Sequence, residues 1–332
     1  MEAPFRCRKK FNRRTIFRFS IASLLLPLSI GFLFLKFDSP TYFTSKNLKF
    51  FTSKFPNQKW DGIDCAKFRS LEGDTSCSVI KYGTPLSKVI LWGDSHALAL
   101  KKYKPNLHNI ELIIIGHSGC PPITNVVRFD GVGNSINCSS PQTLKNYLDW
   151  INDQKPDKVF LVGRWSLYIE GWIREGSLQR AHHFLKAKEF DEQKILSDKD
   201  TRLTILSSGL LRTLGSIKAN EVYIIDQPMD FSEIGFRSMY RSLSFPRDKL
   251  VNYNSSRFNM FKNLGFGRVI DIPSLFCDVK ECYVRRDGIL IYDDDNHLSS
   301  YGAKLVWDEL MHTIGSPTNL FLRESLKIAP SE

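Results

Sequence analysis

The sequence predicts an α/β protein, a three-layer α/β/α sandwich with a parallel sheet of about five strands, preceded by one N-terminal transmembrane helix. Short runs rich in Val and Ile alternate with segments of helical periodicity, which is the pattern of a buried parallel sheet covered by helices. An uncharged apolar run lies near the N-terminus. The composition of the 332 residues, 42% hydrophobic and 24% charged, is typical of a globular chain and excludes general disorder or a multi-span membrane protein.

The first element is a signal anchor over residues 19–35, preceded by a basic cytoplasmic tail over residues 1–18. The anchor contains no charged residue and is about 25 Å long as a helix, which is just enough to cross the hydrocarbon core. Its basic flank predicts a single pass through the bacterial inner membrane, with the N-terminus in the cytoplasm and the rest of the chain in the periplasm or outside. A cleaved signal peptide is the alternative, disfavoured because the run is long and no small-x-small cleavage site follows.

The net charge of +11 belongs mostly to this N-terminal segment. Residues 1–36 hold eight basic side chains and one acidic side chain, or +7, so only +4 remains on residues 37–332. That is ordinary for a folded domain, and nucleic acid is therefore not predicted as a partner.

A polar and aromatic linker over residues 36–59 follows, in which Phe-Thr-Ser-Lys occurs twice. The alternation of Phe and Lys indicates a segment that lies beside the membrane. A surface segment of the domain would explain the same alternation equally well. A globular domain is predicted over residues 60–315, and a C-terminal tail over residues 316–332.

Within the domain, five runs rich in Val and Ile are predicted as buried strands: Lys88–Trp92, Ile110–Ile115, Lys158–Val162, Glu221–Ile225 and Arg268–Ile272. Helices are predicted over Leu203–Ile217 and Tyr301–Ile314, where apolar residues recur at helical spacing. A polar stretch from Glu170 to Asp200 is predicted as an insertion that borders the site. In an open parallel sheet the active site lies beyond the carboxyl ends of the strands, which directs attention to the residues that follow each strand.

Six of the seven cysteines lie beyond the anchor, and Cys7 precedes it. Among the connectivities that six cysteines allow, the favoured one closes a short loop within each segment: Cys65 with Cys77, Cys120 with Cys138 and Cys277 with Cys282. Six reduced thiols or a zinc site are the alternatives, weakened because no two cysteines stand in a CxxC arrangement. Disulfides predict an oxidising compartment.

Two short motifs supply the side chains of a nucleophilic site. Gly93-Asp94-Ser95-His96 follows the first predicted strand, and an Asp-rich segment from Asp293 to Ser299 lies near the end of the chain. A serine at a strand-to-helix turn has its hydroxyl at the sheet edge and its N–H at a helix start, where negative charge is stabilised. Serine needs a base, and an imidazole base needs a carboxylate to hold its tautomer. His297 can serve as the base for Ser95, and Asp294 as the carboxylate.

These residues resemble the SGNH/GDSL hydrolase superfamily, whose first block is Gly-Asp-Ser and whose last is Asp-x-x-His. The chain is most similar to the SGNH domains fused to, or found beside, membrane acyltransferase-3 proteins that O-acylate cell-surface glycans. The resemblance runs from about Cys65 to His312 and implies a flavodoxin-like SGNH fold. The segments that carry it are Leu91-Trp92-Gly93-Asp94-Ser95-His96, Cys120-Pro121-Pro122, Arg164-Trp165-Ser166-Leu167-Tyr168, and His297-Leu298-Ser299 followed by Gly302-Ala303.

The resemblance implies that Ser95, His297 and Asp294 form a catalytic triad. It also implies an oxyanion hole made by the backbone N–H groups of Ser95 and Gly119. The sequence departs from the superfamily at the third block, where Gly-Arg-Trp-Ser replaces Gly-x-Asn-Asp. Either two donors suffice, at a loss of about 3 kcal/mol of transition-state stabilisation, or Arg164 supplies charge to the oxyanion. A structural ion pair of Arg164 is the alternative.

Other residues near these motifs have two interpretations each. Trp165 and Tyr168 stack on a sugar ring as substrate-binding residues or fill the core. His96 faces the substrate or is a packed, hydrogen-bonded histidine. No metal site is predicted, because Asp293 to Asp295 lack further ligands at fixed spacing and His182-His183 is expected to be exposed.

The predicted function is that of a membrane-anchored, extracytoplasmic SGNH-type serine O-acyltransferase. It transfers an acetyl or similar small acyl group to a cell-surface glycan, or another hydroxyl acceptor, through an acyl-enzyme on Ser95. No cofactor is expected, because the acyl donor is consumed as a substrate, and a separate membrane protein that channels acyl groups is a predicted partner. A periplasmic carbohydrate or lipid esterase uses the same triad, so the sequence leaves transferase and esterase open. The third hypothesis is a non-catalytic SGNH protein that binds glycan.

Overall fold

The structure, a computed structural model, describes residues 76–129, 141–173, 180–181, 184–232, 234, 239, 242–247, 260–261 and 268–315. Within these ranges no helix combines the length and the apolar character that crossing a bilayer requires. The predicted anchor, its basic tail, the linker and the C-terminal tail lie outside the described residues.

The elements alternate between strand and helix, as the sequence predicts. The strands are β1 (Ser76–Tyr82), β2 (Ser87–Gly93), β3 (Ile110–Gly116), β4 (Val127–Phe129), β5 (Lys158–Val162), β6 (Trp172–Ile173), β7 (Arg180–Ala181), β8 (Phe184–Lys186), β9 (Glu221–Ile225), β10 (Ser244–Pro246), β11 (Val269–Ile270), β12 (Glu281–Tyr283), β13 (Arg285–Arg286) and β14 (Ile289–Leu290). The helices are α1 (Ser95–Leu100), α2 (Pro141–Asp153), α3 (Trp165–Glu170), α4 (Glu192–Ser197), α5 (Lys199–Ser216), α6 (Pro273–Phe276) and α7 (Ser300–Ile314).

Among the described residues, six strands form the central sheet, in the order β1-β3-β2-β5-β9-β11. All but β1 run parallel, and these strands match the five runs predicted from the sequence. Their order is the 2-1-3-4-5 order of a flavodoxin-like sheet. β1 is antiparallel to β3 at one edge. The prediction of an α/β fold with a largely parallel sheet is confirmed, and β1 is a strand that the sequence analysis missed.

Apolar side chains bury both faces of the sheet. β5 is buried along its whole length, because successive residues of a strand point to opposite faces and every one of them meets a helix layer. On one face, Ile90 and Leu161 share a cluster with residues of α2 and α5. On the other face, Leu91 and Phe160 share a second cluster with residues of α1 and α7. Helices therefore cover the sheet on both sides.

The carboxyl ends of the parallel strands meet at one edge of the sheet, where glycine allows a close approach. Gly93, the last residue of β2, lies opposite Val162, the last residue of β5. A Cβ atom on Gly93 would lie 1.9 Å from the Val162 carbonyl oxygen, so only glycine fits. The Asp94 N–H donates to that same oxygen at 3.2 Å. The strand order reverses beside β2, and this is the switch point at which open α/β sheets bind ligands.

The insertion between Glu170 and Asp200 is partly core. β8 pairs antiparallel with β4, and Phe184, Leu185 and Ile195 are buried in the cluster that includes α2 and α5. These apolar residues attach the insertion to the domain. The sequence did not predict this, because the stretch is mostly polar in composition.

Cys277 and Cys282 form a disulfide, the third of the predicted pairs, with an S–S distance of 2.09 Å. Cys77 and Cys120 each take part in a disulfide bond as well. Their predicted partners lie outside the described residues.

Candidate active site

Ser95 is the first residue of α1, directly after the turn that ends β2. Asp94 caps the helix with an extended backbone, and its Oδ1 accepts the backbone N–H of His96 at 2.8 Å. The Asp94 carbonyl oxygen accepts the N–H of Ala97 at 3.1 Å. Together with the bond from Asp94 to Val162, these contacts hold the backbone on both sides of Ser95.

The side chains of Ser95, His297 and Asp294 form a continuous chain of hydrogen bonds. His297 Nε2 lies 2.8 Å from Ser95 Oγ, and His297 Nδ1 lies 2.7 Å from Asp294 Oδ2. Since a carboxylate accepts and does not donate, the network assigns the imidazole proton to Nδ1. The lone pair of Nε2 then faces the serine hydroxyl, as a general base requires. The structure thus brings together the three residues that the sequence motifs single out.

Asp294 is an ionised carboxylate at neutral pH. Its Oδ1 accepts the backbone N–H groups of Asn296 at 2.9 Å and of His297 at 2.6 Å. Burial on its own would raise the pKa of Asp294, but the bond and the charge of His297 and these two N–H groups outweigh it and lower the pKa. The negative charge beside Nδ1 is what stabilises an imidazolium.

The aspartates of the Asp-rich segment have separate partners. Asp293 accepts a hydrogen bond from Lys102 Nζ at 2.7 Å, and the same ammonium donates to the Leu298 carbonyl oxygen at 2.8 Å. Lys102 therefore holds the segment on both sides of His297, while Asp294 contacts His297 itself. In the described part of the chain, no group of His, Cys, Asp and Glu side chains is arranged to hold a metal ion.

Gly119 lies in a turn at the end of β3, beside the turn that carries the serine. The His117 N–H donates to the Gly93 carbonyl oxygen at 3.2 Å, and the Cys120 N–H donates to the His117 carbonyl oxygen at 3.0 Å. Gly119 has a φ of +70°, which the third residue of a type II turn requires and which glycine adopts without strain. The two predicted oxyanion donors, Ser95 and Gly119, thus lie on adjacent turns at the same sheet edge.

Arg128, in β4, packs against Gly119 and was not predicted. Its Nη1 donates to the Gly119 carbonyl oxygen at 3.3 Å. A Cβ atom on Gly119 would lie 2.0 Å from that nitrogen, so the guanidinium occupies the space that glycine leaves. Nothing in the sequence marks this arginine, because it belongs to no motif.

Arg164 forms a buried ion pair. Its Nε donates to Asp230 Oδ2 at 2.7 Å and its Nη2 donates to Asp230 Oδ1 at 3.1 Å. Burial would raise the pKa of Asp230, but the guanidinium outweighs it and lowers the pKa. Of the two interpretations that the sequence leaves open for Arg164, the structure shows the ion pair.

Trp165 and Tyr168 belong to the core. Both are 0% exposed. Trp165 Nε1 donates to the Ile225 carbonyl oxygen at 2.9 Å, and the Tyr168 hydroxyl donates to Asp94 Oδ2 at 3.0 Å. The prediction that they bind substrate is wrong, because neither ring has a face open to a sugar.

His96 also points inward and is 4% exposed. Its Nδ1 lies 3.3 Å from Asp94 Oδ1, and its ring centroid lies 5.0 Å from that of His297. Burial lowers the pKa of His96 and outweighs the attraction of Asp94, so the imidazole is neutral. Of the two interpretations that the sequence leaves open for His96, the structure shows the packed histidine, since the ring is enclosed beside His297.

The loop after β9 contributes polar residues that the sequence analysis missed. Gln227 Oε1 accepts the Ser166 N–H at 2.8 Å, and Gln227 Nε2 donates to Ser166 Oγ at 2.8 Å. The Phe231 N–H donates to the Asp295 carbonyl oxygen at 2.8 Å. A signal for this loop was present, because polar residues that directly follow a buried parallel strand lie at the functional edge of the sheet.

A protein-family model described as the SGNH domain (fused to AT3 domains) matches residues 64–311 of the chain. Among solved structures, the chain is similar to the periplasmic domain of a lipopolysaccharide acetyltransferase from Salmonella ser. Paratyphi A, with 14% sequence identity and a TM-score of 0.47. That alignment covers 81% of this chain and 96% of the other. A comparison with the sequences of curated proteins finds no match.

Proposed function

The chain belongs to the family of SGNH domains that occur fused to AT3 domains, and from this premise we propose that it is a serine O-acyltransferase. The observation that carries the proposal is the hydrogen-bonded chain of Ser95, His297 and Asp294 at the carboxyl edge of the sheet. It supplies a nucleophile, a base and a charge that orients the base, which are the parts that acyl transfer through a covalent intermediate needs.

In the first half-reaction, His297 Nε2 takes the proton of Ser95 as its Oγ attacks the acyl carbonyl carbon of the donor. The tetrahedral intermediate carries a negative oxygen, which the N–H groups of Ser95 and Gly119 stabilise. Its collapse breaks the bond to the donor's leaving group, which takes the proton from the imidazolium. Ser95 is left acylated.

In the second half-reaction, His297 deprotonates an acceptor hydroxyl as it attacks the acyl carbonyl of Ser95. The new ester forms, and Ser95 leaves and recovers its proton from the imidazolium. The Asp294 carboxylate stabilises the imidazolium in both halves. With water as the acceptor the same steps give an esterase.

The acceptor that we propose is a hydroxyl group of a cell-surface glycan, and the donor is an acyl group presented by a separate AT3-type membrane protein. The family description, which names AT3 domains as fusion partners of these SGNH domains, supports an AT3-type source of the acyl group. The disulfide-bonded cysteines support an oxidising, extracytoplasmic compartment, to which the predicted anchor over residues 19–35 would fix the domain. These steps use no cofactor, because the donor is consumed.

Labelling with a serine-directed fluorophosphonate tests the nucleophile. We expect the wild-type protein to be labelled and Ser95→Ala to lose the label completely. Ser208→Ala is the matched control, because that hydroxyl bonds to the Ile205 carbonyl oxygen within α5 and takes no part in the steps above. A folded wild-type protein that does not react would contradict the proposal.

Mass spectrometry of surface glycans tests the acceptor and the direction of transfer. It compares a deletion strain that is complemented with the wild-type gene or with Ser95→Ala. Acyl groups that are lost without active protein support the transferase, and acyl groups that accumulate identify an esterase. Unchanged glycan acylation would remove the glycan from the proposal.

A further inference from the structure

A buried network connects the turn that carries Ser95 to the residues after β5 and β9. Asp94 Oδ2 accepts the backbone N–H of Arg164 at 2.7 Å. The Arg164 side chain extends to Asp230 and binds both carboxylate oxygens, at 2.7 and 3.1 Å. Arg164 therefore contacts the nucleophile turn through its main chain and the loop after β9 through its side chain.

The loop after β9 continues the connection to the Asp-rich segment. Asp230 Oδ1 also accepts the Ser232 N–H at 3.0 Å, and Oδ2 accepts the Ser166 hydroxyl at 3.2 Å. Between Asp230 and Ser232, the Phe231 N–H donates to the Asp295 carbonyl oxygen at 2.8 Å. Asp295 directly follows Asp294, the acid of the triad. The peptide group between Asp230 and Phe231 therefore connects the ion pair to the segment that carries His297.

The burial of this ion pair indicates a role beyond stability. Arg164 is 8% exposed and Asp230 is 1% exposed. Two charges lose most of their hydration at such a site. Replacing a buried ion pair with apolar side chains of similar volume often leaves a protein equally stable or more stable. What the pair adds is geometry, because two parallel bonds from a planar guanidinium fix both the distance and the plane of the carboxylate.

We propose that Arg164 and Asp230 are positioning residues, whose ion pair holds the Phe231 N–H against Asp295 and so keeps His297 in register with Ser95. The proposal rests on the proposed function of the triad. In the third block, Trp165 stands where the superfamily that the chain resembles has an Asn, and the arginine before it is directed at the loop after β9. A misplacement of about 1 Å at reacting groups can slow a reaction roughly 100-fold, so a loosened segment has a direct effect on rate.

The double variant Arg164→Met/Asp230→Asn removes the ion pair without leaving a buried charge unpaired. Fluorophosphonate kinetics separate the binding of the probe from the rate constant of inactivation. We expect the maximal inactivation rate constant to fall by about 10- to 100-fold, while the dissociation constant of the probe changes little. The NMR resonance of the His297 Nδ1 proton, which reports its bond to Asp294, should shift or broaden.

Asp157→Asn is the matched control, at the opposite edge of the sheet. Asp157 accepts the Lys88 N–H at 2.8 Å and the Asn220 side-chain amide at 3.1 Å. This variant should lower the melting temperature without changing the inactivation rate constant or the His297 resonance. If the double variant behaves in the same way, Arg164 and Asp230 have a structural role only and the proposal is wrong.

Hydrogen exchange on the wild-type protein tests the connection without any variant. The Phe231 amide should exchange as slowly as the amides of β9, because its bond to Asp295 is part of the proposed restraint. Exchange at the rate of an unprotected amide would overturn the proposal. Exchange and the His297 resonance do not require activity. A wild-type protein that resists labelling would therefore refute the proposed function, while the positioning role is judged on these two measurements.

Discussion

The substitution Gly93→Ala places a methyl group where the structure has a backbone oxygen. The new Cβ would lie 1.9 Å from the Val162 carbonyl oxygen and 2.9 Å from the Ala97 Cβ. Cβ contacts below 3.0 Å are essentially never adopted, so β2 and β5 must separate by about 1 Å at their carboxyl ends. That movement occurs two residues before Ser95, at the edge of the sheet that carries the candidate site.

The energetic effect follows from this geometry. Overpacking of a tight contact costs about 1–3 kcal/mol. The movement also breaks the 3.2 Å bond from the Asp94 N–H to Val162, which adds about 1 kcal/mol. We therefore expect the free energy of unfolding to fall by about 2–4 kcal/mol, which lowers the melting temperature by roughly 4–16 °C for a domain of this size. Fluorophosphonate labelling should slow by about 100-fold, because the nucleophile moves with the turn.

Thermal unfolding and the labelling rate, measured at a temperature where both proteins are folded, check these values. Gly215→Ala is the control, since a Cβ atom there meets nothing within 4 Å and alanine favours the helix by about 0.5–1 kcal/mol. If Gly93→Ala melts within about 2 °C of the wild-type protein and reacts at the same rate, the close approach of β2 and β5 does not restrict position 93 to glycine.

Three further variants or conditions test the site. Asp294→Asn keeps the shape of the side chain but removes its charge, so labelling should slow by about 10,000-fold with a small change in melting temperature; a loss below about tenfold would contradict the triad. Gly119→Ala brings a Cβ atom within 2.0 Å of Arg128 Nη1 at a φ of +70°, and this variant should lose most labelling. Adding Arg128→Ala should restore part of the labelling. If it restores none, backbone strain alone is the cause of the loss. Asp230 has a lowered pKa, because the charge of Arg164 outweighs the opposite effect of burial. The folded state then binds fewer protons than the unfolded state, so this stabilisation is complete well above about pH 4 and is lost as the pH falls below it. The midpoints of urea unfolding at about pH 7 and pH 3 measure this loss of stability. The loss should be smaller in the double variant Arg164→Met/Asp230→Asn. An equal loss in the double variant would argue against a lowered pKa of Asp230.

The parallel sheet could be predicted because few structures other than a strand buried on both faces explain a short run of Val and Ile between helical segments. β1 escaped the prediction for a physical reason. Ser76–Tyr82 lies at the edge of the sheet, carries polar residues and has both buried and partly exposed positions. Such an edge strand resembles a loop in composition and is defined only by its pairing with β3.

Residue type, order and motif spacing were enough to single out Ser95, His297 and Asp294 as candidates, and their catalytic role stays a proposal. An ion pair of Arg164 was one of two interpretations, but its partner Asp230 could not be predicted, because the two residues are 66 positions apart and belong to no shared local pattern.

The aromatic side chains after β5 were ambiguous for a different reason. A tryptophan or tyrosine beside a strand end suits a buried position and a sugar-binding surface equally well. Only the partners of the polar atoms decide between them, and those partners, the Ile225 carbonyl oxygen for Trp165 and Asp94 for Tyr168, come from other parts of the chain.

Ser95 and His297 are 202 residues apart along the chain, and His297 lies just before α7, the last of the described helices. Contacts between such distant residues form late in folding, because closing the long loop between them costs conformational entropy before the contact adds any stability. A growing chain that ends before His297 holds Ser95 without its proposed base. Under the proposed function, the chain cannot form an acyl-enzyme while it is being made, and it gains this ability only when the final part of the domain has folded onto the sheet.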